Sequence, residues 1–318
     1  MKDLYGRKIN YLRLSVTDLC NLRCKYCMPE KGIKKTSHSD ILRIEEISYI
    51  AKVFTSLGVD KIRLTGGEPL VRNGILDLVR DIGKIDGIKD FAMTTNGVLL
   101  NRYAKELKKR GLNRVNISLD TLDDTKYREI TRLGSLKDVI SGVEEAKKIG
   151  LTPIKINIVL IGGFNDNEVP SFINFAKEFE VDIRFIELMP IGEAANWAVD
   201  RFMSNQTILD NLGELTPVKN EDISSPANYY KIPGSNSRIG IINPISCKFC
   251  DYCNRVRVTA TGKLKLCLHS DDEIDIRSII REGKDLKQFI LQEILKKPKS
   301  HKLEEGQYIK RNMHEIGG

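Results

Sequence analysis

The chain contains no apolar run approaching the ~18 residues that a membrane span needs, so no transmembrane helix is expected. Its first residues, Met1-Lys2-Asp3-Leu4-Tyr5-Gly6-Arg7, lack the apolar core of a signal peptide, and a cytoplasmic location is the expectation. No internal repeat stands out beyond a strand–helix alternation, and no segment is of low complexity. A strong charge imbalance is absent too: 51 basic against 43 acidic residues leave +8 over 318 residues. That mild excess suits an anionic small partner such as a nucleotide. Basic blocks such as Lys105 to Arg110 are more often solvated helix faces than nucleic-acid contacts, so no nucleic-acid partner is expected. With 41% hydrophobic and 30% charged residues, the chain has enough apolar mass for a sizeable core.

A structural disulfide framework is also unexpected. The seven cysteines are odd in number and confined to two stretches, Cys20, Cys24 and Cys27, then Cys247, Cys250, Cys253 and Cys267. Bunched thiols in a long chain without a secretory signal read as metal or iron–sulfur ligands.

Between residues 10 and 188 short β-branched runs alternate with amphipathic stretches. Strands are expected at Asn10 to Val16, Lys61 to Thr65, Ile88 to Thr94, Arg114 to Leu119, Pro153 to Leu160 and Asp182 to Leu188. Helices are expected near Glu45 to Leu57, Ile75 to Gly83, Asn101 to Arg110, Leu136 to Ile149 and Val169 to Phe179, several ending at glycines (Gly58, Gly111, Gly150) that suit caps. Six such units imply a parallel α/β sheet, either open and doubly wound or an incomplete (β/α) barrel. After Met189-Pro190 the rhythm changes to turns and short strands, at Asn228 to Ile232, Arg238 to Ile242, Val256 to Thr259 and Leu264 to Leu268, with a helix from about Leu286 to Lys296. Two regions are therefore expected, 1–190 and 191–318, the last twenty residues reading as a polar tail.

Cys20, Cys24 and Cys27 follow the first strand directly. Three soft ligands do not close a tetrahedral zinc site without a distant fourth such as His38, whereas a [4Fe–4S] cluster on three thiolates leaves one iron open to a small molecule. The spacing, with Tyr26 immediately before the last cysteine, resembles the signature of the radical S-adenosylmethionine (SAM) superfamily. Thr65-Gly66-Gly67-Glu68-Pro69, after the second strand, stands where that superfamily binds the methionine moiety. A glycine pair there lets backbone approach the ligand, and Glu68 could neutralise its ammonium. The resemblance implies an α/β fold, an incomplete (β/α)6 barrel with a C-terminal extension, and it carries over Tyr26, Gly66, Gly67, Glu68, Ser118 and Met189 as SAM contacts.

The stretch Phe249-Cys250-Asp251-Tyr252-Cys253-Asn254-Arg255-Val256-Arg257-Val258-Thr259, with Gly262, Leu264 and Cys267-Leu268, resembles the C-terminal motif of the GTP 3′,8-cyclase family of molybdenum cofactor biosynthesis. The Arg13-to-Pro29 run and the terminal Gly317-Gly318 fit the same family. By spacing alone, Cys247, Cys250 and Cys253 look like a ferredoxin run, and with Cys267 they make a closed four-cysteine site. The family pattern uses Cys250, Cys253 and Cys267, with Cys247 an additional thiol, and implies a second [4Fe–4S] cluster with one iron left for the guanine. It implies GTP contacts from Arg13, Arg63, Thr94, Lys155, Arg255, Val256 and Arg257. Arginine forks suit phosphate oxygens, and a charge midway along a β run, as at Arg63 and Lys155, is costly to bury unless paired.

The implied reaction starts from a 5′-deoxyadenosyl radical that removes the ribose 3′ hydrogen of GTP. C3′ then bonds to C8 of guanine, and one-electron reduction and protonation of the resulting aminyl radical, with the second cluster implied in the electron's path, give 3′,8-cyclo-7,8-dihydro-GTP, with Gly317 and Gly318 threaded beside the substrate. Implied partners are a flavodoxin- or ferredoxin-like electron donor and a downstream cyclic pyranopterin monophosphate synthase, with the chain a homodimer or monomer. Two other readings compete: a radical peptide-maturing enzyme with auxiliary clusters, and a zinc-binding RNA module.

Overall fold

The computed structural model describes residues 1–318 apart from 35, 199, 213–214, 221, 304–308, 310 and 318. Six strands, β1 (Tyr11–Ser15), β2 (Lys61–Thr65), β3 (Asp90–Thr95), β4 (Arg114–Ser118), β5 (Lys155–Leu160) and β6 (Asp182–Glu187), alternate with helices α1 (Ile44–Ser56), α2 (Ile75–Gly83), α3 (Leu100–Lys109), α4 (Asp124–Thr131), α5 (Leu136–Lys148) and α6 (Val169–Phe179). Then come α7 (Ala194–Ala198), α8 (Gln206–Asn211), β7 (Pro217–Val218), β8 (Ala227–Lys231), β9 (Arg238–Ile242), β10 (Arg255–Val258), β11 (Lys263–Lys265), β12 (Ile274–Asp275), α9 (Ile276–Arg281), α10 (Leu286–Glu293) and α11 (Met313–Ile316). This is the α/β barrel-type sheet expected, with one helix more than the periodicity announced. In α4 only Tyr127, Ile130 and Thr131 turn inward, too few for a stripe, and the helix is started by the Asp123 carboxylate accepting the Lys126 N–H.

The strands run in the order β12-β11-β10-β1-β2-β3-β4-β5-β6-β9-β8-β7. β10 adds in parallel beside β1, and β9 in parallel beside β6. Residues 191–318 therefore lengthen both edges of the six-stranded sheet, making eight parallel strands side by side.

Strand alternation sorts side chains to opposite faces. Leu12, Leu14, Ile62, Leu64, Phe91, Met93, Val115, Ile117, Ile156, Ile158, Ile183 and Phe185 face the helices in one apolar core with Ile50 and Phe54 of α1, Leu78 and Ile82 of α2, Leu107 of α3 and Phe172 of α6. The alternate residues face the concave side and are polar: Arg13, Arg63, Thr65, Thr94, Ser118, Asn157, Arg184, Arg255 and Arg257 all line one cavity there. A closed barrel of this kind is ordinarily filled with branched apolar residues. Here the main apolar layer lies outside the sheet, and the inside mixes these charged and polar groups with a few apolar residues such as Val159 and Ile186, a lining suited to a charged occupant.

Candidate active site

The cavity, of about 360 Å³, opens at the C-terminal ends of the strands, and both cysteine groups reach it. Cys20, Cys24 and Cys27 sit on the loop leaving β1. That loop is pinned to the end of α4 by the Arg23 N–H to Thr131 O and Lys25 N–H to Ile130 O bonds, at 3.0 and 2.9 Å. Burial pushes the Cys20 thiol up to about 11 and Cys27 to about 12, and raises Cys24 as well, with Cys27 and Asp120 adding to the last shift. Thiols so placed ionise only against a cation. Three half-buried sulfurs on one wall are a donor set that fits an iron–sulfur cluster. His38, the alternative fourth ligand, is exposed on the loop and does not line the cavity.

The glycine pair after β2 meets a constraint that the sequence does not announce. A Cβ on Gly66 would lie 2.4 Å from Thr17 O, and one on Gly67 would lie 2.4 Å from Leu19 O. The close approach is loop against loop: Gly67 N–H donates to Thr17 O and Glu68 N–H to Leu19 O, each at 2.8 Å, locking this turn onto the start of the cysteine loop. Both glycines also line the cavity. Glu68 does not. Its carboxylate is fully buried and accepts from Leu70 N–H (3.0 Å), the Thr95 hydroxyl (2.7 Å) and Asn96 N–H (2.7 Å), while burial pushes it up to about 7. The Tyr26 hydroxyl donates to Asp120 at 2.6 Å, and Val159 N–H holds the other Asp120 oxygen at 2.8 Å. Burial raises that carboxyl to about 6. Ser118 and Met189 reach the same wall.

Opposite the first triad the wall is cationic. Register places Arg13 beside Arg63 on one side and Arg257 on the other, across strands about 4.8 Å apart. Burial lowers Arg13 and Arg63 to about 9 and Arg257 to about 10, with repulsion from Arg257 adding to the shift at Arg13. Buried guanidinia this close repel one another, and a polyanion relieves that repulsion. Arg63 Nε, Thr94 Oγ1 and Asn157 Oδ1 are buried without a hydrogen-bond partner among the described residues, as donors and acceptors awaiting a polar ligand are. Arg255 lies over the rings of Tyr11 and Phe249 at 5.9 and 5.4 Å. One expected contact falls elsewhere, and a second, Val256, is expected to give only backbone groups or packing. Lys155, the first residue of β5, lies over the Tyr229 ring at 5.7 Å, outside the lining, and burial with Arg184 lowers it to about 6. Val256 has the parity of the outer face and is packed in the apolar core.

Cys250, Cys253 and Cys267 line the other end of the cavity, whereas Cys247 is exposed and does not. Burial acts to raise the Cys253 thiol, but Lys297 and Arg255 outweigh it and hold the group below its ordinary value. Burial raises the Cys250 thiol, so it is at Cys253 that the cations favour a thiolate; three sulfurs together on this wall are again a donor set that fits a cluster.

The chain's end closes the mouth. Asn312 and Glu315 form a reciprocal cap on α11, Asn312 accepts the Glu193 N–H at 2.9 Å, and His314 Nδ1 lies 2.9 Å from Cys27 O. Gly317 follows in the left-handed region (φ +75°), wedged against Ser15 and Thr65 at the ends of β1 and β2, and its carbonyl accepts from Arg257 at 3.0 Å. Gly318 lies outside the described residues.

Sequence reasoning passed over Asp120, Asn157 and Arg184, all on the wall. Arg184, midway along β6 and donating to the Tyr229 hydroxyl at 2.6 Å, carries the same mid-strand charge that singled out Arg63. His269, His301 and His314, three of the four histidines, also reach the cavity, and no local spacing marks them.

Such a fold, with a three-cysteine loop after its first strand, defines a class, and the family profile described as "Radical SAM superfamily" matches residues 14–176. Membership of that superfamily implies a [4Fe–4S] cluster and SAM. A second profile, "Molybdenum Cofactor Synthesis C", matches residues 181–303. The chain is 56% identical over 317 residues to a GTP 3′,8-cyclase of Peptoclostridium acidaminophilum, covering 99% of this chain and 98% of the relative. It is 54% identical to a GTP 3′,8-cyclase of Alkaliphilus oremlandii (strain OhILAs), with both chains covered in full at 100%. Within the superfamily the chain thus belongs to the GTP 3′,8-cyclase family of molybdenum cofactor biosynthesis, whose members are radical SAM lyases. Among solved structures, SuiB of Streptococcus suis superimposes with a TM-score of 0.61 at 14% identity, over 88% of this chain and 65% of that one, a likeness of fold alone. No helix among the described residues is long and apolar enough to cross a membrane.

Proposed function

We propose that this cavity converts GTP to 3′,8-cyclo-7,8-dihydro-GTP, with residues 1–190 handling SAM and part of the substrate, and residues 191–318 supplying the auxiliary cluster and the rest of the substrate site. When bound, the first cluster and SAM supply the 5′-deoxyadenosyl radical. Cys20, Cys24 and Cys27 hold that cluster, and Tyr26, Gly66, Gly67, Ser118 and Met189 surround the cosubstrate. Glu68 acts from behind, fixing the turn through the backbone of Leu70 and Asn96. Arg13, Arg63, Arg255 and Arg257 grip the triphosphate, Thr94 meets the nucleoside, and Lys155, beneath them, gains its full charge when the bound polyanion offsets Arg184. Cys250, Cys253 and Cys267 hold a second [4Fe–4S] cluster toward the base. Gly317 closes the mouth and excludes water, which keeps a reactive radical on its target C–H, and Gly318, outside the described residues, is expected to act with it in catalysis. The reductant is a flavodoxin- or ferredoxin-like donor, and the product passes to cyclic pyranopterin monophosphate synthase.

The observation that carries this reading is that both cysteine triads and five inward arginines open onto one cavity. Replacing Arg255 or Arg257 by alanine is expected to weaken GTP binding by ~1.5–3 kcal/mol, the worth of a charged hydrogen bond. Uncoupled SAM cleavage should remain measurable. Unchanged GTP affinity in both variants, read by equilibrium binding, removes the triphosphate from this wall.

A further inference from the structure

The two cysteine triads face opposite charges. The buried ionisable neighbours of the first include the carboxylates Glu68 and Asp120, and those of the second include Lys297, Arg255 and Arg7. Of the cations, Lys297 is placed most unusually. It follows the 3-10 turn Ile294–Lys296 after α10 and is only 3% exposed, on the cavity wall. Its ammonium donates to the carbonyl of Arg255 at 2.9 Å and to that of Leu266. Arg255 is two residues beyond Cys253, and Leu266 directly precedes Cys267. One side chain thus ties together the two segments that carry two of the three thiols. The third is held by Arg7, whose guanidinium donates to Cys250 O at 2.8 Å. Arg7 is neutralised by the buried Asp3 carboxylate at 2.6 Å, whereas no carboxylate among the described residues pairs with Lys297. An ammonium buried against carbonyls alone is unfavourable until an anion adjoins it.

We propose that Lys297 is the positioning residue of the second cluster: its grip on two carbonyls sets the spacing of Cys253 and Cys267, and its uncompensated charge poises the cluster's one-electron couple. Three thiolates make a bound four-iron cube anionic, and reduction makes it more so. A fixed positive charge beside it therefore favours the reduced form and raises the midpoint potential. Arg7, neutralised by Asp3, fixes Cys250 without that electrostatic effect. The inference rests on the ligand set given under Proposed function.

The test uses the full chain reconstituted anaerobically, as wild type, Lys297→Met, Lys297→Arg and Arg7→Met, the last carrying Asp3→Asn as well so that the ion pair is removed whole and no charge is left behind. Iron and sulfide are counted, and each cluster is followed by EPR through a redox titration, with Cys24→Ser protein identifying the second cluster's signal. Wild type holding only about four irons, one cube rather than two, would fail the two-cluster reading itself and not this inference. With both clusters present, Lys297→Met is expected to move the second midpoint to more negative potential and leave the first in place. Lys297→Arg should return it toward wild type, and Arg7→Met should leave the midpoint of any retained second cluster unshifted. If Lys297→Met loses the second cluster alone while Lys297→Arg keeps it, the positioning role stands. An intact second cluster with an unchanged midpoint in Lys297→Met, an equal shift of both clusters, a shift in Arg7→Met matching that of Lys297→Met, or loss of the cluster in both Lys297 variants overturns the assignment.

Discussion

Gly317→Ala is expected to abolish GTP cyclisation while both clusters and uncoupled SAM cleavage survive. Gly317 holds φ near +75°, where an L side chain is strained by ~1–2 kcal/mol. A Cβ there would also sit 2.9 Å from both Ser15 Cβ and Thr65 Oγ1, at the ends of two central strands that cannot withdraw. The chain's end must then leave the mouth, releasing the Arg257 guanidinium from the Gly317 carbonyl and opening the cavity to water. The check is a side-by-side assay of 5′-deoxyadenosine and cyclised nucleotide. A variant that cyclises GTP at the full rate would make the end of the chain an ordinary frayed terminus.

Serine in place of Cys24 or of Cys253 is expected to remove cyclase activity by separate routes. Wild type should carry about eight irons, as two four-iron cubes require, and each variant about four. Cys24→Ser should lose SAM cleavage as well, since its thiol belongs to the loop around the cosubstrate. Cys253→Ser should retain cleavage and lose only cyclisation. Cys247→Ser should retain both clusters and activity, because that thiol is exposed and off the wall. Iron loss on replacing Cys247, with activity kept on replacing Cys267, would reverse the ligand assignment.

Much of the fold was legible because its signals are local. The apolar spacing at Ile75, Leu78, Val79 and Ile82 marks α2 to the residue, and the alternation in Lys61–Thr65 marks β2. What escaped depends on partners far along the chain. The helix α4 has a cap but almost no stripe, and α11 is four residues held by Gly192, Cys27 and Arg257. At the site, both cysteine groups and the arginines were visible from spacing and from charges placed midway along strands. The same rule, applied evenly, would have found Arg184. The hydrogen bonds of Glu68 were not legible, because its three donors come from Leu70, Thr95 and Asn96, which only the folded turn assembles. Lys155 was expected at the substrate because a charge midway along a β run usually faces a ligand. It opens β5 instead, level with Asp182, below the residues that line the cavity. Lys297 lies 42 and 31 residues from the carbonyls it holds, and nothing in its own neighbourhood announces them.

The central claim is that one cavity brings the C3′–H of GTP to a SAM-derived radical. Incubating the reconstituted protein anaerobically with SAM, a reductant and GTP deuterated at C3′ tests it directly by mass spectrometry. The account predicts deuterium in 5′-deoxyadenosine together with a cyclised isomer of GTP. Unlabelled 5′-deoxyadenosine alongside unconsumed GTP would contradict it.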